Sequence, residues 1–290
     1  MSEQILQLNK GADRRLKQGH LWIYSNEIDT KASPLKAFEP GQQVVIHNHV
    51  QKEIGRAFMS PSSLIAGRVI SRDPKQMMDQ SLLTHRFKIA LSLRETAFDK
   101  PYYRLVFGDS DMLPGLVVDR FGSVLVVQIS SVGMEGLKEQ IISALKKVCK
   151  PTTILFKNNG KMRAPENLES YVEVVYGEDV EEAALEENGV KFIAPIVTGQ
   201  KTGWFYDHRM NRERLRSYVP GKRVLDLYSY IGGWGVQAAA FGAASVTCVD
   251  SSATALEYVS KNAELNNVSD KVGCIEGDVF DVCRQLKESG

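Results

Sequence analysis

The sequence predicts a multidomain protein of mixed α/β and α+β class, and three observations support this prediction. Residues 1–75 contain short apolar runs separated by Pro, Gly and Ser turns, as in a small β-rich domain. Residues 76–185 alternate helical and strand spacing, which indicates an α+β linking domain. Residues 186–290 contain three apolar runs that each precede a helical pattern, which predicts the first three strands of a Rossmann-like α/β domain.

Composition is that of an ordinary globular protein with no membrane partner. The 290 residues are 43% hydrophobic and 24% charged, and no apolar run is long enough to span a bilayer. The amino-terminus lacks an apolar signal core. The absence of CxxC spacing indicates reduced thiols in a cytoplasmic protein rather than disulfides or a metal site. The four cysteines are Cys149, Cys248, Cys274 and Cys283.

Charge is unevenly distributed along the chain. A formal net charge of +1 argues against a globally basic nucleic-acid binder. Residues 1–75 nevertheless carry an excess of 4 positive charges and residues 201–223 an excess of 5, whereas residues 178–187 are acidic. These runs predict either local binding surfaces or simply solvated faces.

The β-rich domain begins with a basic segment. Lys10, Arg14 and Arg15 can neutralise phosphates, and Trp22 or Tyr24 can either stack on bases or belong to a barrel core. Core burial is the favoured interpretation for Trp22. The strands predicted next are Gln43–His47, Glu53–Met59 and Leu64–Ile70.

The linking domain has no recognisable catalytic constellation. Asp109, Asp111 and Asp119 suggest a metal site, but their Gly and Pro setting favours turn hydrogen bonding. A polar loop at Phe156–Arg163 carries Lys157 and Lys161, which we expect to face RNA. The predicted helices are Ser81–Phe98 and Met134–Val148, and the predicted strands are Tyr103–Phe107, Leu116–Asp119, Val124–Ile129 and Thr153–Lys157.

The third domain opens with a hairpin and a basic helix. Residues 186–196 form two arms around the strong turn dipeptide Asn188-Gly189. Helical spacing then predicts a helix from Tyr206 to Tyr218, with three arginines on one face. That face is either a clamp for a carboxylate or phosphate, or a solvated surface. The arginines are Arg209, Arg212 and Arg216.

A strand, a glycine-rich turn and a helix start follow at Val224–Gly235. The glycines allow the backbone to approach a ligand, although an ordinary strand-to-helix turn has the same appearance. A second strand, Ser245–Asp250, and a third, Val272–Gly277, also end in acids, so the sequence predicts one crevice over the sheet. The dinucleotide fingerprint GxGxxG is absent, which argues against a dinucleotide-dependent oxidoreductase.

Three motifs resemble one enzyme family. The stretches DLYSYIGGWG, GQKTGWFYDHRMNR and KGADRRLKQGHLW are similar to those of the class I adenosylmethionine-dependent bacterial large-subunit ribosomal RNA cytosine-C5 methyltransferases with an N-terminal PUA domain. The resemblance covers essentially the whole chain. The chain departs from the family pattern at Trp204, Tyr206, His208 and Ile231.

The resemblance implies S-adenosyl-L-methionine as cofactor and ribosomal RNA as partner. It implies that Asp250 holds the ribose hydroxyls and Asp278 the adenine amino group, although each acid is also a candidate helix cap. Lys201 and Arg209 would line the methionine or target-base side. The remaining implied cofactor contacts are Tyr228, Ser229, Tyr230, Gly232 and Gly233, and the implied RNA contacts are Lys10, Arg14, Arg15, Lys157 and Lys161.

The family's DPP motif and its late nucleophilic cysteine have no counterpart in this sequence. In the family, that thiolate adds to C6 of a flipped-out cytosine and activates C5. We therefore predict no catalytic residue in this chain and expect it to be truncated at its carboxyl end. A catalytically inactive RNA-binding fragment is the alternative function. An open sheet edge would favour self-association as a homodimer.

Overall fold

The chain forms two compact units, Met1–Asp179 and Val180–Gly290, in a computed structural model that describes residues 4–288. The first unit contains both the predicted β-rich domain and the predicted linking domain. The second unit begins a few residues before the predicted boundary, so that it includes both strands of the observed hairpin, Glu182–Glu187 and Val190–Pro195. The division into three domains at 75 and 185 stays a prediction.

A five-stranded sheet begins the first unit, in the order β1-β3-β4-β5-β2. β1 runs parallel to β3 and the other neighbours are antiparallel. Two predicted strands are confirmed to the residue and the third is displaced by one; the two three-residue strands were missed. The elements are β1 (Ile5–Gln7), α1 (Asp13–Lys17), β2 (Trp22–Tyr24), β3 (Gln43–His47), β4 (Glu53–Met59) and β5 (Ile65–Ser71).

A second five-stranded sheet follows, in the order β10-β9-β8-β7-β6, with only β8 and β9 parallel. The single helix predicted for Met134–Val148 is wrong, because the chain breaks at Gly136-Leu137 into two helices. The elements are α2 (Gln80–Ala97), β6 (Tyr102–Phe107), β7 (Leu116–Phe121), β8 (Val124–Ile129), α3 (Val132–Glu135), α4 (Lys138–Cys149), β9 (Thr153–Asn158) and β10 (Tyr171–Tyr176).

The two sheets of the first unit share side chains. Phe58 and Ile70, from the first sheet, belong to the hydrophobic core of the second. The buried Glu166 carboxylate accepts hydrogen bonds from Ser60 Oγ at 2.6 Å and from Arg68 Nη2 at 3.0 Å. A buried carboxylate requires such partners, so these contacts hold the two sheets together as one unit.

The three aspartates of the linking region are held by protein groups. Asp111 receives both Arg94 amino groups at 2.8 and 2.7 Å, and Asp119 receives Arg104 at 2.8 and 2.9 Å. Asp109 accepts from Trp22 Nε1 at 2.7 Å. Asp111 also accepts from Phe107 N at 2.6 Å, which is a turn bond of the expected kind, but most of these bonds are ion pairs. Within residues 4–288, no group of His, Cys, Asp and Glu side chains is arranged to hold a metal ion.

The second unit places a hairpin beside a three-stranded parallel sheet of order β13-β14-β15. The hairpin begins at Glu182 rather than at the predicted Glu186. The elements are β11 (Glu182–Glu187), β12 (Val190–Pro195), α5 (Arg209–Glu213), β13 (Arg223–Leu227), α6 (Gly235–Ala240), β14 (Ser245–Asp250), α7 (Ala253–Leu265), β15 (Val272–Glu276) and α8 (Val279–Glu288).

The predicted helix from Tyr206 to Tyr218 is wrong as a continuous element. Only α5 is α-helical, and short 3₁₀ turns flank it at Tyr206–His208 and Arg214–Ser217. The arginines consequently do not share one face: Arg212 is 2% exposed, whereas Arg216 lies at the surface. None of the helices in the described part of the chain has the length and apolar character to cross a membrane.

Candidate cofactor site

A cavity of about 400 Å³ opens in the second unit, beside the carboxyl ends of β13 and β14. This is the edge at which parallel α/β sheets bind ligands, and the volume lies within the usual range of small-molecule sites. The lining residues are Gln200, Trp204, Phe205, His208, Arg212, Tyr228, Ser229, Tyr230, Gly233, Trp234, Asp250 and Ser251.

The turn after β13 forms one wall and has an unusual backbone. Tyr228, Tyr230 and Gly232 have φ angles of 58°, 49° and 81°, in the left-handed region that costs energy for the two tyrosines. A Cβ at Gly232 would lie 2.8 Å from Val236 Cγ2, so the space behind the turn is filled. A strained backbone conformation of this kind is retained only where surrounding hydrogen bonds and packing hold it in place.

Two aspartates fix this turn at its two ends. Tyr230 N donates to Asp250 Oδ2 at 2.8 Å, and Gly235 N donates to Asp226 Oδ2 at 2.8 Å. Burial raises the pKa of Asp226 to about 6, even though the bond from Gly235 acts in the opposite direction. Asp226 therefore anchors the start of α6 from inside the sheet.

Asp250 retains unused acceptor capacity toward the cavity. Its Oδ1 accepts from Ser252 N at 3.0 Å, but the cap of α7 is Ser252, whose Oγ accepts from Ala255 N at 3.2 Å. An ionised carboxylate has about four lone-pair sites, and the backbone occupies two of them. Asp250 can thus accept from a pair of ligand hydroxyls without losing its structural bonds.

Aromatic rings from the turn after β13 and from the Gly199–Arg212 segment together form a second, aromatic wall. The centroids of His208 and Trp234 lie 6.0 Å apart, and those of Phe205 and Tyr230 lie 5.7 Å apart, both pairs edge-to-face. The Tyr230 hydroxyl accepts from Gln200 N at 3.1 Å and donates to Gly203 O at 3.2 Å. The rings supply apolar faces for a planar or cationic ligand group.

A buried ion pair supports this wall. Arg212 donates to both Glu187 carboxylate oxygens, at 2.6 and 3.0 Å, and its guanidinium lies 4.7 Å from the centroid of the Trp204 ring. Trp204 Nε1 and Gln237 Nε2 also donate to Glu187, at 2.9 and 3.0 Å. The expectation that Arg212 clamps an anion from an open helix face is wrong, because Glu187 already neutralises it.

One polar atom of the lining is unsatisfied. Ser229 is 4% exposed, and its Oγ has no hydrogen-bond partner among residues 4–288. A buried hydroxyl without a partner costs stability unless something pairs with it. A ligand with a polar group at this end of the cavity would satisfy Ser229.

The structure brings together only part of the predicted cofactor set. Five of the nine predicted residues line the cavity, and Gly232 lies behind the turn. Lys201 lies near Asp207, at 3.6 Å, and Asp278 caps α8 by accepting from Phe280 N at 2.9 Å. Lys201, Asp278 and Arg209 are outside the lining, and their cofactor contacts stay predictions.

Sequence reasoning missed most of the aromatic wall. The missed residues lie mainly in the Gly199–Arg212 signature, where the available signal was a run of aromatic residues directly before the basic positions. The lining residues that were not predicted as cofactor contacts are Gln200, Trp204, Phe205, His208, Arg212, Trp234 and Ser251, of which Arg212 had been predicted only as part of an anion clamp.

The predicted RNA contacts have mixed outcomes. Lys10, Arg14 and Lys161 are exposed, whereas Arg15 is held by Glu27 at 2.8 Å. The prediction for Lys157 is wrong: it is 1% exposed inside β9, and burial lowers its pKa to about 8. The side chains of β9 do not alternate between buried and exposed, because this strand is buried on both faces.

Trp22 is only half-buried, so the favoured prediction that it lies in the barrel core is not confirmed. Its indole points toward Asp109 of the linking region. None of the cysteines lines the cofactor cavity as the described residues define it. Burial raises the pKa of Cys149 to about 11 and raises that of Cys248 further, so both resting thiols are protonated at neutral pH.

Two protein families match the chain. The PUA-like domain family matches residues 6–72, which is the first sheet. The S-adenosylmethionine-dependent methyltransferase family matches residues 156–290, which include the whole cavity. The cofactor of the second family is therefore S-adenosylmethionine.

Curated relatives match over nearly the whole chain. Ribosomal RNA large subunit methyltransferase I of Cronobacter sakazakii is 35% identical over 293 residues, and that of Escherichia coli is 36% identical over 294 residues. In both cases the match covers 98% of this chain and 72% of the relative. The chain spans most of a relative's length, and the predicted truncation is not confirmed.

Solved structures support the fold. A SAM-dependent methyltransferase structure from Streptococcus mutans has a TM-score of 0.83 at 23% identity, with 99% of this chain and 74% of that chain covered. A second methyltransferase structure, complexed with SAH, has a TM-score of 0.84 at 22% identity. At these identities the likeness concerns the fold alone.

Proposed function

The chain belongs to the ribosomal RNA large subunit methyltransferase I family, and from this premise we propose its function. The proposed function is S-adenosylmethionine-dependent methylation of large-subunit ribosomal RNA, with the cofactor bound in the cavity beside β13 and β14. The proposed RNA substrate comes from the names of the relatives.

The single observation that carries the cofactor assignment is the Asp250 carboxylate at the end of β14, bonded to the turn and still open to the cavity. The residues present fit the cofactor: Asp250 would accept from its ribose hydroxyls, Ser229 would pair with a polar group, and the aromatic wall would pack on its flat or cationic parts. When bound, S-adenosylmethionine supplies an electrophilic methyl group on a sulfonium centre.

The target position within the RNA is a finer proposal. The resemblance of the Gly199–Arg212 signature to cytosine-C5 methyltransferases favours C5 of a cytosine. Such a base must leave its stack to reach the cavity, where Phe205, His208 and Trp234 offer apolar faces against it. These rings would orient the base and exclude water from it.

A second candidate function is binding of RNA and cofactor without methyl transfer. The observation that favours it is the position of the cysteines, because C5 chemistry needs a thiolate beside the base and no thiol lines the described cavity. The two candidates share the cofactor site and differ only in turnover.

Calorimetric titration with S-adenosylmethionine tests the shared part. We expect saturable binding that Asp250→Ala weakens at least tenfold, since hydrogen bonds to a charged group contribute about 1.5–3 kcal/mol. Asp270→Ala, at an exposed carboxylate of the same unit, is the matched control and should bind like the unmodified protein. Unchanged affinity in Asp250→Ala would contradict the cofactor assignment.

Turnover is measured separately. Unmethylated large-subunit ribosomal RNA is incubated with the protein and methyl-labelled cofactor, and nucleosides are identified by mass spectrometry. Labelled 5-methylcytidine supports the enzyme function, and a label on another nucleoside contradicts the C5 proposal. Tight binding of both ligands without label supports the second candidate.

A further inference from the structure

A loop at residues 199–203 lies against the turn after β13, and we call it the glycine loop. The hydroxyl of Tyr230 joins it to that turn, because this hydroxyl accepts from Gln200 N at 3.1 Å and donates to Gly203 O at 3.2 Å. Burial raises the pKa of Tyr230 to about 12, so the hydroxyl keeps the proton that it donates at neutral pH. A single hydroxyl therefore bonds the glycine loop at two points.

The backbone of the glycine loop is held in an unfavourable conformation. A Cβ at Gly199 would collide with the Tyr230 hydroxyl oxygen and with Pro195 O, so this close approach requires glycine. Lys201 has a φ of 49°, in the left-handed region that costs energy for residues other than glycine. Such a loop relaxes when its external bonds are lost, and the Tyr230 hydroxyl supplies two of those bonds.

The backbone of Tyr230 is bonded to the cofactor side of the cavity. Tyr230 N donates to Asp250 Oδ2 at 2.8 Å, and Tyr230 itself has a φ of 49°. The Asp250 carboxylate therefore stabilises the strained turn that directs the phenol ring toward the glycine loop. A ligand that donates hydroxyls to Asp250 fixes this carboxylate and favours the strained turn over a relaxed one.

The glycine loop also contacts the aromatic wall. Lys201 Nζ lies 4.2 Å from the centroid of the Phe205 ring, which meets the Tyr230 ring edge-to-face at 5.7 Å. The His208 ring lies 6.2 Å from Phe205 on its other side along the chain. A movement of the glycine loop therefore displaces Phe205 and His208, two of the rings proposed to face the target base.

We propose that Tyr230 is a positioning residue that couples the cofactor to the RNA side of the cavity. When Asp250 holds the cofactor, the Tyr230 hydroxyl keeps the glycine loop closed. The closed loop then orients Phe205 and His208 for the base. The coupling rests on the proposed function, because it takes the cofactor and RNA as ligands. Such coupling is reciprocal, so each ligand raises the affinity for the other by the same factor.

Hydrogen exchange followed by mass spectrometry tests the coupling, with S-adenosylhomocysteine as a ligand that cannot donate a methyl group. In the unmodified protein, a saturating concentration is expected to slow amide exchange in residues 199–203 at least tenfold. Tyr230→Phe keeps the ring and removes only the hydroxyl. We expect this variant to bind S-adenosylhomocysteine within threefold of the unmodified affinity and to gain less than twofold protection in the glycine loop.

Tyr218→Phe is the matched control, since it removes a hydroxyl from a tyrosine of the same unit that is 72% exposed. It is expected to show the same ligand-dependent protection as the unmodified protein. A hydroxyl with a purely structural role would, when removed, speed exchange equally with and without ligand and leave the ratio of the two rates unchanged. An unchanged ratio in Tyr230→Phe overturns the proposal.

Filter binding of unmethylated large-subunit ribosomal RNA supplies a second readout. S-adenosylhomocysteine is expected to tighten RNA binding at least fivefold in the unmodified protein and in Tyr218→Phe, but less than twofold in Tyr230→Phe. Calorimetric titration of S-adenosylhomocysteine with and without RNA should return the same factor as the filter assay. Equal tightening in the unmodified protein and in Tyr230→Phe overturns the proposal.

The outcome for the coupling is separable from that of the proposed function. Saturable binding of S-adenosylhomocysteine without protection of the glycine loop overturns the coupling and leaves the cofactor assignment in place. Absence of binding to the unmodified protein contradicts both, because no ligand then occupies Asp250.

Discussion

Asp226 holds the start of α6 through its bond from Gly235, but burial of its carboxylate lowers the free energy of unfolding at neutral pH. Its folded-state pKa of about 6 exceeds the ordinary 3.8, so between those pH values the folded protein binds a proton more tightly than the unfolded chain. The free energy of unfolding that this residue contributes therefore falls as pH rises from about 4 to 6, and the loss persists above pH 6. The bond from Gly235 makes the residue structurally useful despite this cost.

Asp226→Asn tests this balance. Relative to the unmodified protein, we expect a gain of about 1–3 kcal/mol in the free energy of unfolding at pH 7 that disappears near pH 4, because an amide accepts from Gly235 without ionising. Urea denaturation at several pH values measures the difference. Asp270→Asn, at an exposed carboxylate, should give a difference near zero throughout. A gain that is the same at pH 4 and pH 7 would contradict the assignment.

Glu187 is the residue on which the aromatic wall depends. It is fully buried and accepts from Arg212, Trp204 and Gln237. Replacing one partner of a buried ion pair leaves an uncompensated charge, which costs about 3–5 kcal/mol. Glu187→Gln should therefore lower the free energy of unfolding by that amount and weaken cofactor binding, since Arg212 and Trp204 line the cavity.

The control for Glu187→Gln is Glu213→Gln. Glu213 pairs with Arg216 at 2.6 Å, but both side chains are at least 41% exposed, so the change should cost less than about 1 kcal/mol. Chemical denaturation and calorimetric titration measure both variants. Similar costs in the two variants would mean that burial of the Glu187 pair is not what supports the wall.

At the scale of elements, the hairpin is attached to α7 through one buried amide. Asn262 accepts from Ile193 N at 2.8 Å and donates to Ile193 O and Ile231 O at 3.3 and 3.1 Å. One side chain thus connects β12, α7 and the turn that forms the cavity wall. Asn266, one turn later on α7, makes the same kind of paired contact with Lys191 nearer the surface.

Asn262→Ala and Asn266→Ala form a matched pair. The first leaves buried backbone groups without partners and should cost about 2–4 kcal/mol, whereas water can replace the second amide at a cost below about 1 kcal/mol. Hydrogen exchange should show faster exchange of the Ile193 amide in Asn262→Ala only. Equal protection of that amide in both variants would contradict the proposed attachment.

The sequence predicted elements well where local pattern decides them. The strands Gln43–His47, Val124–Ile129 and Ser245–Asp250 agree to the residue because apolar runs and turn residues mark both ends. The continuous helix through Arg212 was predicted wrongly: the segment is α5 with a short 3₁₀ turn on each side, and Arg212 is buried against a long-range partner, Glu187. Periodicity contains no information about such a partner.

The same limit applies to the candidate sites. Asp250 could be predicted because an acid at the end of a second parallel strand has a recognised role in such sheets. The burial of Lys157 could not, since nothing in its own stretch of sequence reveals that both faces of β9 are covered. A cavity in the first sheet was also missed, because its lining residues come from α1, β3, β4 and β5, which are separate stretches of the sequence.

At the scale of the whole molecule, the first unit should unfold as one body rather than as the two domains predicted from sequence. Phe58 and Ile70 of the first sheet are buried in the hydrophobic core of the second sheet. Glu166 accepts hydrogen bonds from Ser60 and Arg68 of the first sheet. Separating the sheets would expose those side chains and leave a carboxylate without its partners. Neither sheet should therefore be stable without the other.

A fragment of residues 1–179 tests this directly. Its sole tryptophan, Trp22, bonds to Asp109 of the other sheet region, so its fluorescence reports on the contact between the sheets, while circular dichroism reports on all strands and helices. We expect coincident urea transitions by the two probes, as two-state unfolding requires. Glu166→Ala should shift both transitions together to lower urea, by about 2–4 kcal/mol in unfolding free energy. Separate transitions, or a fragment of residues 1–75 that folds alone, would show instead that the two sheets are independent domains joined only by surface contacts.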